Sequence, residues 1–144
     1  MNSEYLISDM YVFDLSRADW GLILLRERDH LLRRFGQLDL VDLAPNEKTD
    51  FTLRAEADRF LFPVSGGLIV NMIDMRSSSP TNGARANISL DYSKPQGLLV
   101  PFGVACSMET KATARVIILS THSESHPEDR TPGHDELEKY TASQ

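Results

Sequence analysis

The sequence predicts an all-β sandwich or barrel. From residue 51 onward six short apolar runs recur: "FTLRAEAD", "RFLFPVSGG", "LIVNMIDM", "ANISLDY", "GLLVPFGVA" and "TARVIILST". They are separated by turn formers, Ser65-Gly66-Gly67, Asn82-Gly83, Ser93-Lys94-Pro95 and Glu109-Thr110-Lys111. Ahead of the polar tail, a single segment carries a helical pattern, which leaves the strand class unchanged.

Taken in order, residues 4–14, "EYLISDMYVFD", alternate loosely and predict one or two strands, and "GLILL" (21–25) predicts another. In "RERDHLLRRFG" (26–36), Leu31, Leu32 and Phe35 share a helical face, arginines fill the last turn and Gly36 supplies a stop. A short helix is expected there. "LDLVDLAP" (38–45) sets Leu38 and Leu40 against Asp39, a half-buried strand ended by Pro45. "NEKTD" is loop-like, and the six apolar runs follow it.

Within them, "IDMRSSSPTNGARANISL" (73–90) holds opposite charges at the mouth of a hairpin. Asp74 and Arg76 share a strand face, and Ser79-Pro80-Thr81-Asn82-Gly83 has the residues that reverse a chain. The pair either carries chemistry or pins the turn. Residues 122–144 shift in composition: polar, with two prolines, and without apolar periodicity until "DELEKY", which can form a terminal helical turn. They are expected to track the surface or move. The division is a domain over residues 1–121 and an extension over 122–144.

The chain has 144 residues, enough to bury a core without staples. A net charge of −6 argues against a nucleic-acid partner, because a phosphate backbone asks for a basic face. "GLLVPFGVAC" is too short to span a bilayer, and "MNSEYLISD" lacks the basic start of a signal peptide. Cys106 is the single cysteine, which excludes an internal disulfide. A cytoplasmic protein is expected.

The order "VSGGLIVNMIDMRSSSPTNG…ISLDYSKPQGLLVPFGVACSM…ARVIILST" resembles the dTDP-4-dehydrorhamnose 3,5-epimerase type of nucleotide-sugar epimerase. The likeness rests on Gly66, Asp74-Met75-Arg76, Ser79-Pro80-Thr81, Ile88-Ser89-Leu90 and Pro101-Phe102-Gly103 in series, and covers roughly residues 20–121. It implies a cupin-type double-stranded β-helix (jelly roll), a homodimer and a dTDP-4-keto-6-deoxyhexose ligand. It implies no cofactor. The family's base is a His in a Leu-Arg-Gly-x-His motif; here Leu53-Arg54-Ala55-Glu56-Ala57 puts Ala57 in its place. Cys106 stands for the His of the Pro-x-Gly-x-x-His turn, and no Tyr occurs between Ile118 and Glu124 to serve as acid. Arg54 matches the motif's Arg, and Arg59 falls where a Lys usually precedes the strand.

Epimerisation needs a base within reach of an acidic C–H and a group to protonate the opposite face. No histidine lies between His30 and His122. Glu56 is a substitute base if burial raises its pKa, or else a surface carboxylate. Cys106 is a nucleophile if a cation or imidazole adjoins it, or else core filler. Arg54 and Arg59 suit a diphosphate, since guanidinium binds phosphate oxygens in pairs; the alternative is an internal ion pair of Arg54 with Glu56 or Asp58. Strand alternation puts Arg54, Glu56 and Asp58 on one face and Arg59 on the other, unless a bulge intervenes.

Metal-binding cupins use strand imidazoles, which this chain lacks. Pro127 works against a helix that would align His122 with His126, so no metal site is assigned. Trp20, Phe51, Phe60, Phe62 and Phe102 can stack a base or pack the core. Three functions stay open: an epimerase or isomerase with rearranged catalytic groups, a catalytically silent binder of a sugar or other small ligand, and a jelly roll serving assembly with a partner.

Overall fold

A computed structural model describes residues 7–141, so residues 4–6 of the first expected strand lie outside the described part. Ten strands and one helix form: β1 (Tyr11–Asp14), β2 (Ser16–Ala18), β3 (Gly21–Ile23), β4 (Gln37–Leu43), β5 (Arg59–Ser65), β6 (Gly67–Asp74), β7 (Arg85–Asp91), β8 (Gln96–Val100), β9 (Val104–Glu109), β10 (Ala114–Ser120) and α1 (His134–Thr141). A five-stranded sheet runs β1-β8-β5-β10-β4, a three-stranded sheet runs β7-β6-β9, and β2 and β3 make a separate hairpin. All pairings are antiparallel. From β5 to β10 the chain shuttles between the two larger sheets, which gives the cupin-type jelly roll that the sequence predicts.

The core lies between the sheets. Leu61, Leu98 and Val116 from the larger meet Val70, Met72, Ile88, Leu90 and Val104 from the smaller, all buried. β7 shows why the segment becomes a strand: Ala86, Ile88 and Leu90 point inward while Asn87, Ser89 and Asp91 face solvent. β5 is central, flanked by β8 and β10, and still contains Pro63. The register with β10 shifts between Arg115 and Val116, beside Pro63, where a residue without an amide hydrogen is tolerated. Gly66 makes the crossing from β5 to β6 at φ +70°; a Cβ there would strike the Thr113 carbonyl oxygen.

Four expectations are corrected. The helix over 26–36 does not form. A single 3₁₀ turn occupies Glu27–Asp29 and His30 leaves it in the left-handed region at φ 54°. Asp29 closes that turn by accepting from the Arg26 amide (3.1 Å), and Leu31 and Leu32 then lie over Phe13, Phe60 and Phe62. A helix this short has little stability of its own, and covering the outer sheet face buries more apolar surface. Among the described residues the one α-helix is instead α1, in the tail.

Second, "FTLRAEAD" is not a strand: it makes only isolated bridges, Thr52 with Cys106 and Leu53 with Arg130. Third, "GLLVPFGVA" is two strands in different sheets, β8 and β9, parted by Pro101-Phe102-Gly103. Fourth, β4 alternates with the opposite facing. Leu38 and Leu40 are 57% and 58% exposed, whereas Leu43 and, partly, Val41 face the core.

The charges at the β6–β7 hairpin close it. Asp74 is fully buried and accepts from the Arg76 amide (3.1 Å), Arg76 Nε (2.9 Å) and Nη2 (3.1 Å), Ser79 Oγ (2.6 Å) and Thr81 Oγ1 (2.6 Å). Arg76 reaches on to the Ser8 carbonyl (2.7 Å) and the Asp9 carboxylate (3.1 Å), tying the N-terminal segment to the turn. Burial pushes the Asp74 carboxyl up, but the hydrogen bonds from Arg76, Ser79 and Thr81 outweigh it and hold its pKa below the ordinary value.

The unfolded chain therefore binds a proton at Asp74 before the folded one does, and stability rises with pH across that window. Asp74→Ala, which strands Arg76 and two hydroxyls, should cost about 3 kcal/mol in urea unfolding. The gap between wild type and Asp74→Asn should be full above about pH 4 and shrink as pH falls through the folded pKa. A pH-independent gap would assign Asp74 no ionic role.

Candidate functional site

Between the sheets, at the end crossed by residues 49–52, lies a cavity of about 330 Å³. Thr49, Thr52, Arg59, Leu61, Cys106, Met108, Ile118 and Thr131 line it, with exposed Asp50 at its rim. The segment bearing Thr49 and Thr52 is laid across β9 by paired backbone bonds. The Thr52 amide donates to the Cys106 carbonyl (2.9 Å), the Cys106 amide to the Thr52 carbonyl (3.0 Å), and the Thr49 amide to the Met108 carbonyl (2.9 Å).

Arg59, the first residue of β5, is 8% exposed. Its Nη1 donates to Thr52 Oγ1 (2.8 Å), and its Nη2 to the carbonyls of Thr52 (3.2 Å) and Val104 (3.1 Å). Nε is buried and has no partner. Among the described residues no carboxylate lies within ion-pair distance of this guanidinium. A buried cation held only by neutral oxygens keeps most of its desolvation cost, and an anion in the cavity would offset it.

Of the predicted site residues, the structure brings Arg59 and Cys106 together on this cavity and leaves Arg54 and Glu56 outside its lining. Cys106 is 6% exposed and belongs to the main core cluster. Because residues 51–58 are not a strand, the expected sharing of one face by Arg54, Glu56 and Asp58 does not arise. Arg54 pairs with neither acid. Its Nε donates to Asp129 Oδ2 (3.0 Å), and its Nη2 to the His122 (3.1 Å) and Glu124 (3.4 Å) carbonyls. Asp58 instead accepts from Arg33 Nε (3.1 Å) and the Phe102 amide (3.0 Å).

The Glu56 side chain is 57% exposed and lies 3.5 Å from His122 Nε2. His122, which the sequence places in an irregular tail, is ordered: its Nδ1 is 2.9 Å from Thr121 Oγ1 and its side chain is 15% exposed. The three tail histidines do not converge. His126 accepts from the Glu128 amide (3.1 Å) and His134 pairs with Glu138 on α1 (3.0 Å). Among the described residues no group of three or more His, Cys, Asp or Glu side chains is placed to hold a metal ion.

Sequence reasoning missed Asp129. It accepts from Arg54, from the Ala55 amide (2.7 Å) and from the His126 amide (2.9 Å). Burial pushes its carboxyl up, but the two amides and the Arg54 charge hold the pKa below the usual value. Nothing in a polar tail marks one acid over its neighbours; the one available signal was an unassigned arginine that needed a counterion. The aromatics divide by position. Phe60 and Phe62 are buried with Phe13, and Phe51 packs beside Leu53, while Trp20 and Phe102 stand out at 83% and 44% exposure.

No protein-family model matches the chain, and no curated protein matches it. Solved structures do. A dTDP sugar isomerase from Desulfovibrio desulfuricans superposes with a TM-score of 0.81 at 19% identity, over 90% of this chain and 87% of that one. A double mutant of a 3'-monoepimerase from Streptomyces bikiniensis, in complex with dTDP, gives 0.79 at 12% identity over 92% and 73%. A dTDP-6-deoxy-D-glucose-3,5-epimerase from Legionella pneumophila, in complex with dTDP-4-keto-L-rhamnose, gives 0.75 at 16% identity over 91% and 77%. The protein has the fold of these dTDP-sugar epimerases, as the sequence resemblance implies.

The burial of Cys106 makes a kinetic prediction. Its thiol should react with an aromatic disulfide reagent on the order of 100-fold more slowly in the native protein than in urea. Native reaction at the unfolded rate would place the thiol in open solvent.

Proposed function

We propose that this protein binds a nucleotide sugar of the dTDP-4-keto-6-deoxyhexose class and is a catalytically degenerate relative of the epimerases whose fold it has. Residues 1–121 are the jelly-roll domain and 122–144 its extension, which adds Thr131 to the cavity wall, in a cytoplasmic protein of carbohydrate or sugar-conjugate biosynthesis. The observation that carries the proposal is Arg59: a buried guanidinium with an unpartnered Nε on the wall of a cavity, without a carboxylate among the described residues to neutralise it. An anionic group of the ligand completes its coordination, and Arg54 is the second cation for a diphosphate. Two of the solved structures of this fold hold dTDP or dTDP-4-keto-L-rhamnose.

What lines the cavity supports catalytic silence. Exchange of a proton next to a keto group needs a base on one side and an acid on the other. Among the described residues the ionisable groups at the cavity are Arg59, Cys106 and Asp50 at the rim, without an imidazole or a phenol. Glu56 and His122 lie together outside it and serve no proton transfer within.

Saturating dTDP should raise the melting temperature, because a ligand that binds only the native state adds about 2.7 kcal/mol at 100 times its dissociation constant. Arg59→Met should abolish that shift. In deuterated solvent, a dTDP-4-keto-hexose should gain no label at the carbons flanking the keto group. Label above background would sink the silent assignment, and an unchanged shift in Arg59→Met would remove Arg59 from the site.

A homodimer is the second part of the proposal, favoured by the outer face of the five-stranded sheet. Leu38 and Leu40 stand exposed there, opposite half-buried Leu119 and Ile117 in register, with exposed Phe35 close in sequence. An apolar strip of this kind on an edge strand invites a second copy. Light scattering should give twice the 16.2 kDa of one chain, and Leu40→Glu should return it to the single-chain mass. A monomeric wild type would overturn this.

A further inference from the structure

Three observations concern the segment between β10 and α1. Its ends are anchored. The Thr121 amide donates to the Asp58 carbonyl (3.0 Å) at one end, and at the other Leu137 and Tyr140 of α1 pack on Leu53, Ile73, Met75 and Ala105. Its middle is mostly exposed and held to the barrel by polar contacts: the two-way backbone bridge of Leu53 with Arg130 (2.8 and 3.1 Å), the Asp129 carboxylate on Arg54 and the Ala55 amide, Arg54 on the His122 and Glu124 carbonyls, and His122 beside Glu56. Thr131, the next residue, is part of the cavity wall.

Asp129 thus puts an anionic oxygen on the guanidinium of Arg54, which lies outside the cavity lining but two residues along the chain from Thr52 of the cavity wall, and Asp129 itself stands two residues before Thr131 of that wall. Two of the groups around it, the Arg54 guanidinium Nε and the Ala55 amide, belong to the barrel and are of the kind that hold a phosphate oxygen elsewhere in proteins, while the third, the His126 amide, moves with the segment. The segment is short, tethered at both ends and poor in apolar contacts, so it can lift without unfolding the barrel.

We propose that residues 122–131 are a strap that occupies the diphosphate position of the site, with the Asp129 carboxylate in place of a phosphate on Arg54, and that a diphosphate-bearing ligand binds by displacing it. This rests on the nucleotide-sugar assignment above and adds its regulation. Displacement frees Arg54, moves Thr131 off the cavity wall and breaks the Leu53–Arg130 bridge. The apparent affinity of the wild type is lowered by the fraction of molecules in which the strap is closed. Asp129 is a specificity residue in the same sense: an uncharged sugar gains nothing from Arg54 and cannot pay to open the strap.

The test uses the full-length chain and dTDP, with inorganic pyrophosphate as a second probe. Hydrogen exchange on the wild type, which needs no variant, should show the Arg130 and Leu53 amides exchanging faster with dTDP bound. Titration calorimetry should show Asp129→Asn binding both dTDP and pyrophosphate at least about tenfold more tightly than wild type. Equal affinity of each probe for the two proteins, or slower Arg130 exchange on binding, overturns the strap and leaves the binding assignment standing. Absence of both dTDP and pyrophosphate binding to both proteins removes the binding assignment, and the strap with it. Pyrophosphate bound more tightly by Asp129→Asn while dTDP is not would keep the strap and exclude the nucleotide.

Discussion

The site end of the barrel is organised by the need to house the Arg59 charge. Its three satisfied donors go to Thr52 Oγ1 and the carbonyls of Thr52 and Val104. That fixes the position of Thr52, which in turn pairs with Cys106 on β9 through its backbone. The chain from 49 to 58 is thereby drawn across the mouth between the sheets instead of continuing as a strand. Leu53 and Ala55, carried on the same segment, become the docking points for the tail. A single buried cation therefore links the inner wall of the barrel to the segment that covers it.

Legibility in the sequence followed the physics of each element. β6, β7 and β10 were readable because their apolar residues have only one way to be buried: in a sheet with period two. The 26–36 segment was not, since Leu31, Leu32 and Phe35 fit a helical face as well as an irregular cover over Phe60 and Phe62. Tertiary packing made that choice. β4 shows a subtler failure. Its alternation was visible, but period two does not say which half faces inward, and Val41 with Leu43 took the core.

The lining of the candidate cavity was half legible. Arg59 was identifiable because its chemistry and its place before an apolar strand agree, and Cys106 because a lone cysteine tends inward. Asp129 was invisible, since its partner is 75 residues away and its neighbours are equally polar. The Asp74–Arg76 pair was seen but open between two meanings. The structure settles it as closure, with every oxygen of the carboxylate spent on the turn. That sequence signature therefore belongs to the frame of the fold, while the cavity residues decide the chemistry.

β1 has a consequence for how the chain is made. It pairs with β8 in the large sheet, with Tyr11 opposite Leu99 and Asp14 opposite Gln96. Asp14 and Gln96 are 82 residues apart, so the cover that β8 gives to Val12 and Phe13 comes only after the strands between them have been made. Ser8 and Asp9 wait in the same way for Arg76. A closure over that range forms slowly, because the entropy of closing the loop is lost before the contacts are gained, and the uncovered strand is open to aggregation until it is complete.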